Sequence, residues 1–296
     1  MGIAWVFPCQ GSQKAGMAAG VLELPGAPER FAAASELLGR DLLAICAGEA
    51  SGDLADLNDT RNTQPALFVI ASLLVDALKA QERSAQLVAG HSLGELVALY
   101  AAGVFDAATG VQLMKTRSEL MAAAGGGAMT AVMGFDRAQL DDLVAATEGV
   151  VIANDNSSAQ VVLSGSPEAV AAVSSQLSCK RAIPLAVSGA FHSPFMAKAA
   201  EAFAAELESV PFADAVIPVL SNTDPTPETS GAALKARLRN QMTTGVRWRE
   251  TMERFGAEGI DTAVEIGPGN VLSGLIKRSC DGVTTAQIAT TADLGL

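Results

Sequence analysis

The run Leu87-Val88-Ala89-Gly90-His91-Ser92-Leu93-Gly94 constrains this chain more than any other segment. Leu87–Ala89 reads as a short apolar strand and Leu93–Ala102 as an apolar helix, with a serine between two glycines at the join. Strand, tight glycine turn, serine and helix in that order place a hydroxyl at the carboxyl end of a sheet, which is an α/β arrangement. A side chain at Gly90 or Gly94 would crowd so sharp a turn. The helix start adds chemistry, because the Leu93 main-chain N–H lies at its positive end and can donate to a developing oxyanion. Ser92 is therefore expected to be the covalent nucleophile of an acyl-transfer site.

A serine hydroxyl needs a base to take its proton. The chain has two histidines. His91 shares the turn with Ser92, so its side chain is expected to point elsewhere, and His192 is the candidate base. The plain alternative makes His192 a helix-start residue ahead of Ser193-Pro194. A hydrolytic triad on such a fold usually carries its acid between the serine and the histidine. Asp136, Asp141, Asp142 and Asp155 lie there, but none is an obvious partner, which leaves a main-chain carbonyl or a different base open. Arg117 is either a solvated helix residue or a clamp for a substrate carboxylate, and spacing does not decide between them.

Between residues 125 and 189 the pattern changes. Ala128–Gly134, Arg137–Ala146, Val150–Ala153, Gln160–Ser164, Pro167–Leu177 and Arg181–Val187 read as β-α-β-β-α-β, the order of a ferredoxin-like unit. Gly125-Gly126-Gly127 and Ser188-Gly189 are candidate hinges. The expected organisation is a large α/β domain from residues 1–124 and 190–296 with a ferredoxin-like subdomain, 125–189, inserted into it. In the large domain, Ile3–Pro8 and Val216–Leu220 read as strands, and Glu29–Leu43, Pro194–Leu207, Ala232–Met242 and Val271–Lys277 as helices. Ala263–Ile266 reads as the last strand. The apolar stretch Pro65–Leu78 is too short for a membrane span and contains Asp76, so Gln64–Ala80 reads as a buried helix.

A net charge of -12 argues against nucleic acid or an anionic membrane as a general partner. Cys9, Cys46, Cys179 and Cys280 are scattered, so neither a zinc site nor a disulfide framework is expected, and reduced thiols in the cytoplasm are the simpler expectation. Met1–Gly11 has no basic region and too short an apolar run for a signal peptide, so none is expected. No metal and no permanently bound cofactor is expected.

Several runs together resemble the malonyl-CoA:acyl carrier protein transacylase family. They are Phe7-Pro8-Cys9-Gln10-Gly11-Ser12-Gln13, Gly90 through Glu95, Gly189-Ala190-Phe191-His192-Ser193-Pro194, Gln241 through Trp248, and Gly267 through Leu272. The resemblance implies an α/β-hydrolase-like large domain, Ser92 as nucleophile and His192 as base. It implies that the main-chain carbonyl of Gln241 orients the histidine and that the amides of Gln10 and Leu93 form the oxyanion hole. Arg117 would pair with the malonyl carboxylate, Met121 and Asn156 would line or support the site, and Phe191 matches the malonyl rather than the methylmalonyl type. The implied reaction is ping-pong, moving malonyl from malonyl-CoA to the phosphopantetheine of acyl carrier protein in fatty acid synthesis, by a monomer.

Two positions depart from the family pattern. Cys9 stands where glycine is usual, which would strain the oxyanion loop if that residue needs a positive φ. Asn156-Ser157-Ser158-Ala159-Gln160 lacks the usual Pro-Gly. The carrier is acidic, so docking needs local positive charge, for which Lys180, Arg181, Arg247, Arg249, Lys277 and Arg278 are candidates. Rival readings are an acyltransferase serving a polyketide synthase or a malonate decarboxylase, a serine thioesterase, and a non-catalytic carrier-binding subunit.

Overall fold

A computed structural model describes residues 2–187 and 189–295. Its strands are β1 (Gly2–Phe7), β2 (Leu87–Gly90), β3 (Ala128–Phe135), β4 (Val150–Ser157), β5 (Gln160–Gly165), β6 (Cys179–Pro184), β7 (Val219–Leu220), β8 (Ile260–Ile266) and β9 (Thr284–Ile288). Five of them form a parallel sheet in the order β7-β2-β1-β8-β9. The centre of this sheet is buried on both faces, which is why Ala4, Trp5, Val6 and Phe7 form an unbroken apolar run.

The helices are α1 (Ala27–Leu38), α2 (Leu42–Ala47), α3 (Thr60–Ala80), α4 (Gly94–Ala101), α5 (Ala107–Ala124), α6 (Arg137–Ala146), α7 (Pro167–Gln176), α8 (Ala197–Ser209), α9 (Gly231–Asn240), α10 (Trp248–Ala257) and α11 (Val271–Ser279). Trp5 and Phe7 pack into the core built with α1, α3, α4, α5 and α8. Ala4 and Val6 point the other way, into a core with Trp248 and Phe255 of α10 and Leu272 and Ile276 of α11. The period-2 alternation of one strand thus separates two helical layers.

β3 to β6 form an antiparallel sheet in the order β4-β5-β3-β6, covered on one face by α6 and α7 through Val132, Leu140, Val161, Leu163 and Val173. This is the strand order of the ferredoxin-like unit, and the mixed α/β class is as expected. The antiparallel sheet is tied to the large domain where Val246, in the loop before α10, donates to Ala153 of β4 and Asp155 donates back to Val246. The hinge expected at Ser188 falls outside the described residues.

Several expected elements differ. The helix expected over Glu29–Leu43 stops at Leu38, because Gly39 takes a left-handed φ of 67° and Asp41 caps a new helix through the Ala44 N–H. α3 begins four residues before the expected start, capped by Asp59. At 21 residues it is long and apolar enough to cross a membrane, yet 83% of its most apolar window is buried in the core. Val216–Leu220 shrinks to Val219–Leu220, and β9 follows the strand expected to be last.

Candidate active site

Phe7 pairs with Gly90 in the parallel register, so the loops leaving β1 and β2 lie side by side at the carboxyl edge of the sheet. His91 donates its main-chain N–H to Phe7, and Ser92 turns at a φ of 53°. The glycines are required by close approach. A Cβ on Gly90 would lie 1.9 Å from the Gly94 carbonyl, and one on Gly94 would lie 2.2 Å from the Phe7 oxygen. Asn222, just after β7, completes the turn by accepting from the Ser92 N–H at 2.7 Å and donating to the Gly90 carbonyl.

The Ser92 hydroxyl donates to Nε2 of His192 at 2.7 Å. Nδ1–H of His192 donates to the main-chain carbonyl of Gln241 at 2.9 Å, which fixes the tautomer with Nε2 as acceptor. His192 is itself left-handed, at a φ of 55°. The two residues of the hydroxyl–imidazole pair are therefore both held in sparsely populated backbone conformations, as strain at functional sites often is. Burial, together with the nearby Arg117 cation, lowers the imidazole to about 3, so it is neutral and able to accept a proton.

Arg117 projects from α5 and is fully buried. Its Nη1 donates to Gln64 Oε1 at 2.6 Å, and its Nη2 to Gln241 Oε1 at 2.9 Å and Ser92 Oγ at 3.1 Å. Its Nε has no acceptor, and no carboxylate among the described residues lies within 4.0 Å of the guanidinium. Burial lowers its pKa to about 10, so the group stays cationic at neutral pH. Arg117 is therefore not a solvated surface residue.

Ser92, His192, Arg117, Gln10, Leu93, Met121 and Phe191 line one cavity of about 100 Å³. Neither the Gln10 nor the Leu93 main-chain N–H finds an acceptor among the described residues, which leaves both free to meet an oxyanion. Gln10, Leu185 and Val187 also line the adjoining cleft of about 1120 Å³.

Asn156 does not line this cavity. It stands behind the turn, bonded through Oδ1 to Nε2 of His91 at 2.8 Å, while Asn154 of the same strand reaches the cavity wall. The bulges in β4 on either side of this segment set which side chain faces which way. The His91 ring is engaged by Asn156 and packs against Trp248, although the residue also lines the cavity. Cys9 has no positive φ, so cysteine is not strained there, and burial beside Glu265 pushes its thiol up to about 12. The thiol is thereby held protonated near neutral pH, which disfavours a reactive thiolate at Cys9.

Arg247 and Arg249 are not free cations. Arg247 pairs with Glu250, and Arg249 pairs with Asp155 and Glu253. Lys180, Arg181, Lys277 and Arg278 are exposed. Gln64, Glu95 and Asn222 are bonded into the site without having been singled out individually from the sequence. Asn222 alone carried a signal, as a polar residue two positions after a parallel strand.

The sequence profile of the acyl transferase domain family matches residues 4–294. The chain belongs to this family. This acyl transferase is 49% identical over 294 residues, 99% of each chain, to a malonyl CoA-acyl carrier protein transacylase of Synechocystis. A crystal structure of the Synechocystis malonyl-CoA:ACP transacylase, at 49% identity, superposes with a TM-score of 0.95, covering 100% of this chain and 99% of that one. A malonyl CoA-acyl carrier protein transacylase of Escherichia coli is 40% identical over 296 residues, with 96% and 95% coverage. A type II PKS acyl-carrier protein in complex with its malonyl-transacylase matches at 37% identity, TM-score 0.91 and coverage of 99% and 98%.

Proposed function

We propose that this chain transfers a malonyl group from malonyl-CoA to the phosphopantetheine thiol of acyl carrier protein, through an ester on Ser92, in fatty acid synthesis. The observation that carries the proposal is Arg117, a buried cation without a carboxylate partner, in contact with Ser92 Oγ. On a malonyl ester the free carboxylate carbon is three bonds from Oγ, within reach of that guanidinium. A buried cation of this kind discriminates strongly, because an acetyl ester leaves it unpaired.

Ser92 Oγ bonds to the thioester carbonyl carbon as its proton moves to Nε2 of His192. The electron pair displaced onto the carbonyl oxygen is held by the N–H groups of Gln10 and Leu93. Collapse of the tetrahedral adduct breaks the C–S bond, and His192 returns its proton to the departing CoA sulfur. The carrier thiol, entering past Leu185 and Val187, attacks the ester by the same steps in reverse and Ser92 regains its proton. Gln241 holds the imidazole with a carbonyl instead of a carboxylate, so the imidazolium is less stabilised than in a hydrolytic triad. Met121 and Phe191 form the apolar wall, and Asn156 supports the turn through His91.

Residues 125–189 serve in this proposal as an inserted unit that brings β4 and β6 to the mouth of the site. Lys180, Arg181, Lys277 and Arg278 would supply the cationic docking surface for an acidic carrier. Incubation with malonyl-CoA, first alone and then with carrier protein, tests the reaction. A stable acyl-enzyme that discharges only when carrier is added is expected. Release of free malonate without carrier, at the rate of transfer, would overturn it.

A further inference from the structure

Glu95 lies in the first turn of α4 and is fully buried, yet no step above uses it. Its Oε2 accepts from Nε2 of Gln241 at 2.7 Å and from the Asn222 main-chain N–H at 3.0 Å. The second Nε2 proton of Gln241 goes to the Ser92 carbonyl at 2.9 Å, and its Oε1 accepts from Arg117. One carboxylate oxygen therefore anchors the two residues that hold Arg117 and the Ser92 turn. Burial raises the Glu95 carboxyl, opposed by these hydrogen bonds and by the Arg117 cation. The positive end of α4 also favours its charge.

The amide of Gln241 has a direction. As oriented, its oxygen meets the donor-only guanidinium and its nitrogen meets two acceptors. Rotated by half a turn, it would set donor against donor at Arg117 and acceptor against acceptor at Ser92 and Glu95. Removing the Glu95 acceptor takes away one of the contacts that enforce this orientation. It leaves Arg117, already short of a partner at Nε, less firmly aimed.

We infer that Glu95 is a positioning residue for acyl-group selection, fixing the Gln241 amide so that Arg117 faces the acyl group on Ser92. The inference rests on the malonyl reading above. Its action runs through the Gln241 side chain, whereas His192 is held by the Gln241 main chain. Selectivity should therefore suffer more than acyl transfer itself.

The test is the ratio of malonyl to acetyl loading in Glu95→Met, which keeps the volume and removes the acceptor, and in Glu95→Gln, which keeps an oxygen where two donors converge. The ratio should fall at least tenfold in Glu95→Met and stay within about threefold of wild type in Glu95→Gln. An unchanged ratio in Glu95→Met, including an equal loss of both substrates, overturns the inference. So does a tenfold fall in Glu95→Gln, which would assign the effect to charge. If Glu95→Met does not fold, Glu95→Ala is read the same way, and failure of both to fold overturns the inference by making Glu95 a stability residue. Wild type and Arg117→Ala run alongside, and a wild type with no malonyl preference would fail the functional reading instead.

Discussion

Arg117 and Ser92 touch: a guanidinium nitrogen from the middle of α5 lies 3.1 Å from a hydroxyl oxygen on the turn between β2 and α4. The contact puts a fixed positive charge beside the atom that would carry the acyl group. Arg117→Ala should therefore lower malonyl loading by roughly a hundredfold, the ~3 kcal/mol of a buried charge-assisted pair. Acetyl loading should be spared or raised. Loading of the two thioesters in parallel checks this, and an equal loss for both would remove the carboxylate role.

Burial, aided by Arg117, holds His192 at about 3 instead of the ordinary value near 6.5. Malonyl loading measured between pH 5.5 and 8 should then show no inflection from this imidazole. A decline centred near pH 6.5 would mean that His192 titrates normally. The stability consequence has a definite sign. The unfolded histidine binds a proton below about 6.5 and the folded one does not, so this contribution is complete above about pH 6.5 and is lost as pH falls toward 3. His91, lowered by burial to about 4, acts in the same direction.

Gly94 packs against the Phe7 carbonyl. Gly94→Ala forces β1 and the turn apart, at about 1–3 kcal/mol for an overpacked site. A drop in melting temperature of several degrees, with loss of loading, is expected. An alanine variant with unchanged melting and activity would show that the turn does not need glycine there.

The Cys9 thiol, pushed up to about 12, stays protonated near neutral pH. Cys9→Ala should load malonyl at the wild-type rate, and iodoacetamide should leave wild-type loading unaffected in the same pH range. Inactivation that disappears in Cys9→Ala would contradict this.

Asn156→Ala removes the partner of buried His91. A loss of about 1–3 kcal/mol in stability is expected, with loading reduced less than in Arg117→Ala. Denaturant unfolding beside a loading assay separates the two effects.

The turn at Ser92 was legible because a strand, two glycines and a helix start are local signals. The ferredoxin-like order was legible for the same reason, since each of its elements carries its own periodicity. The bond of His192 to the Gln241 carbonyl came only from the family resemblance, because it joins positions 49 residues apart and nothing local marks it, and the positive φ of His192 had no local signal at all. Arg117 stayed ambiguous because an arginine on a helix reads alike in the core and on the surface, and α5 was not delimited from its pattern. Asn156 was placed with the site, but its side chain faces His91, because bulges in β4 change which residues share a face. β9 was missed because four of its five residues, Thr284, Thr285, Ala286 and Gln287, are largely exposed at the sheet edge and it lacks an apolar run.

The most direct test of the central claim is peptide mapping by mass spectrometry after malonyl-CoA is added without carrier, on wild type and on Ser92→Ala. The malonyl group should sit on the peptide containing Ser92 in wild type and be absent from every peptide of Ser92→Ala. A malonyl group on the Cys9 peptide, or one that persists in Ser92→Ala, would contradict it.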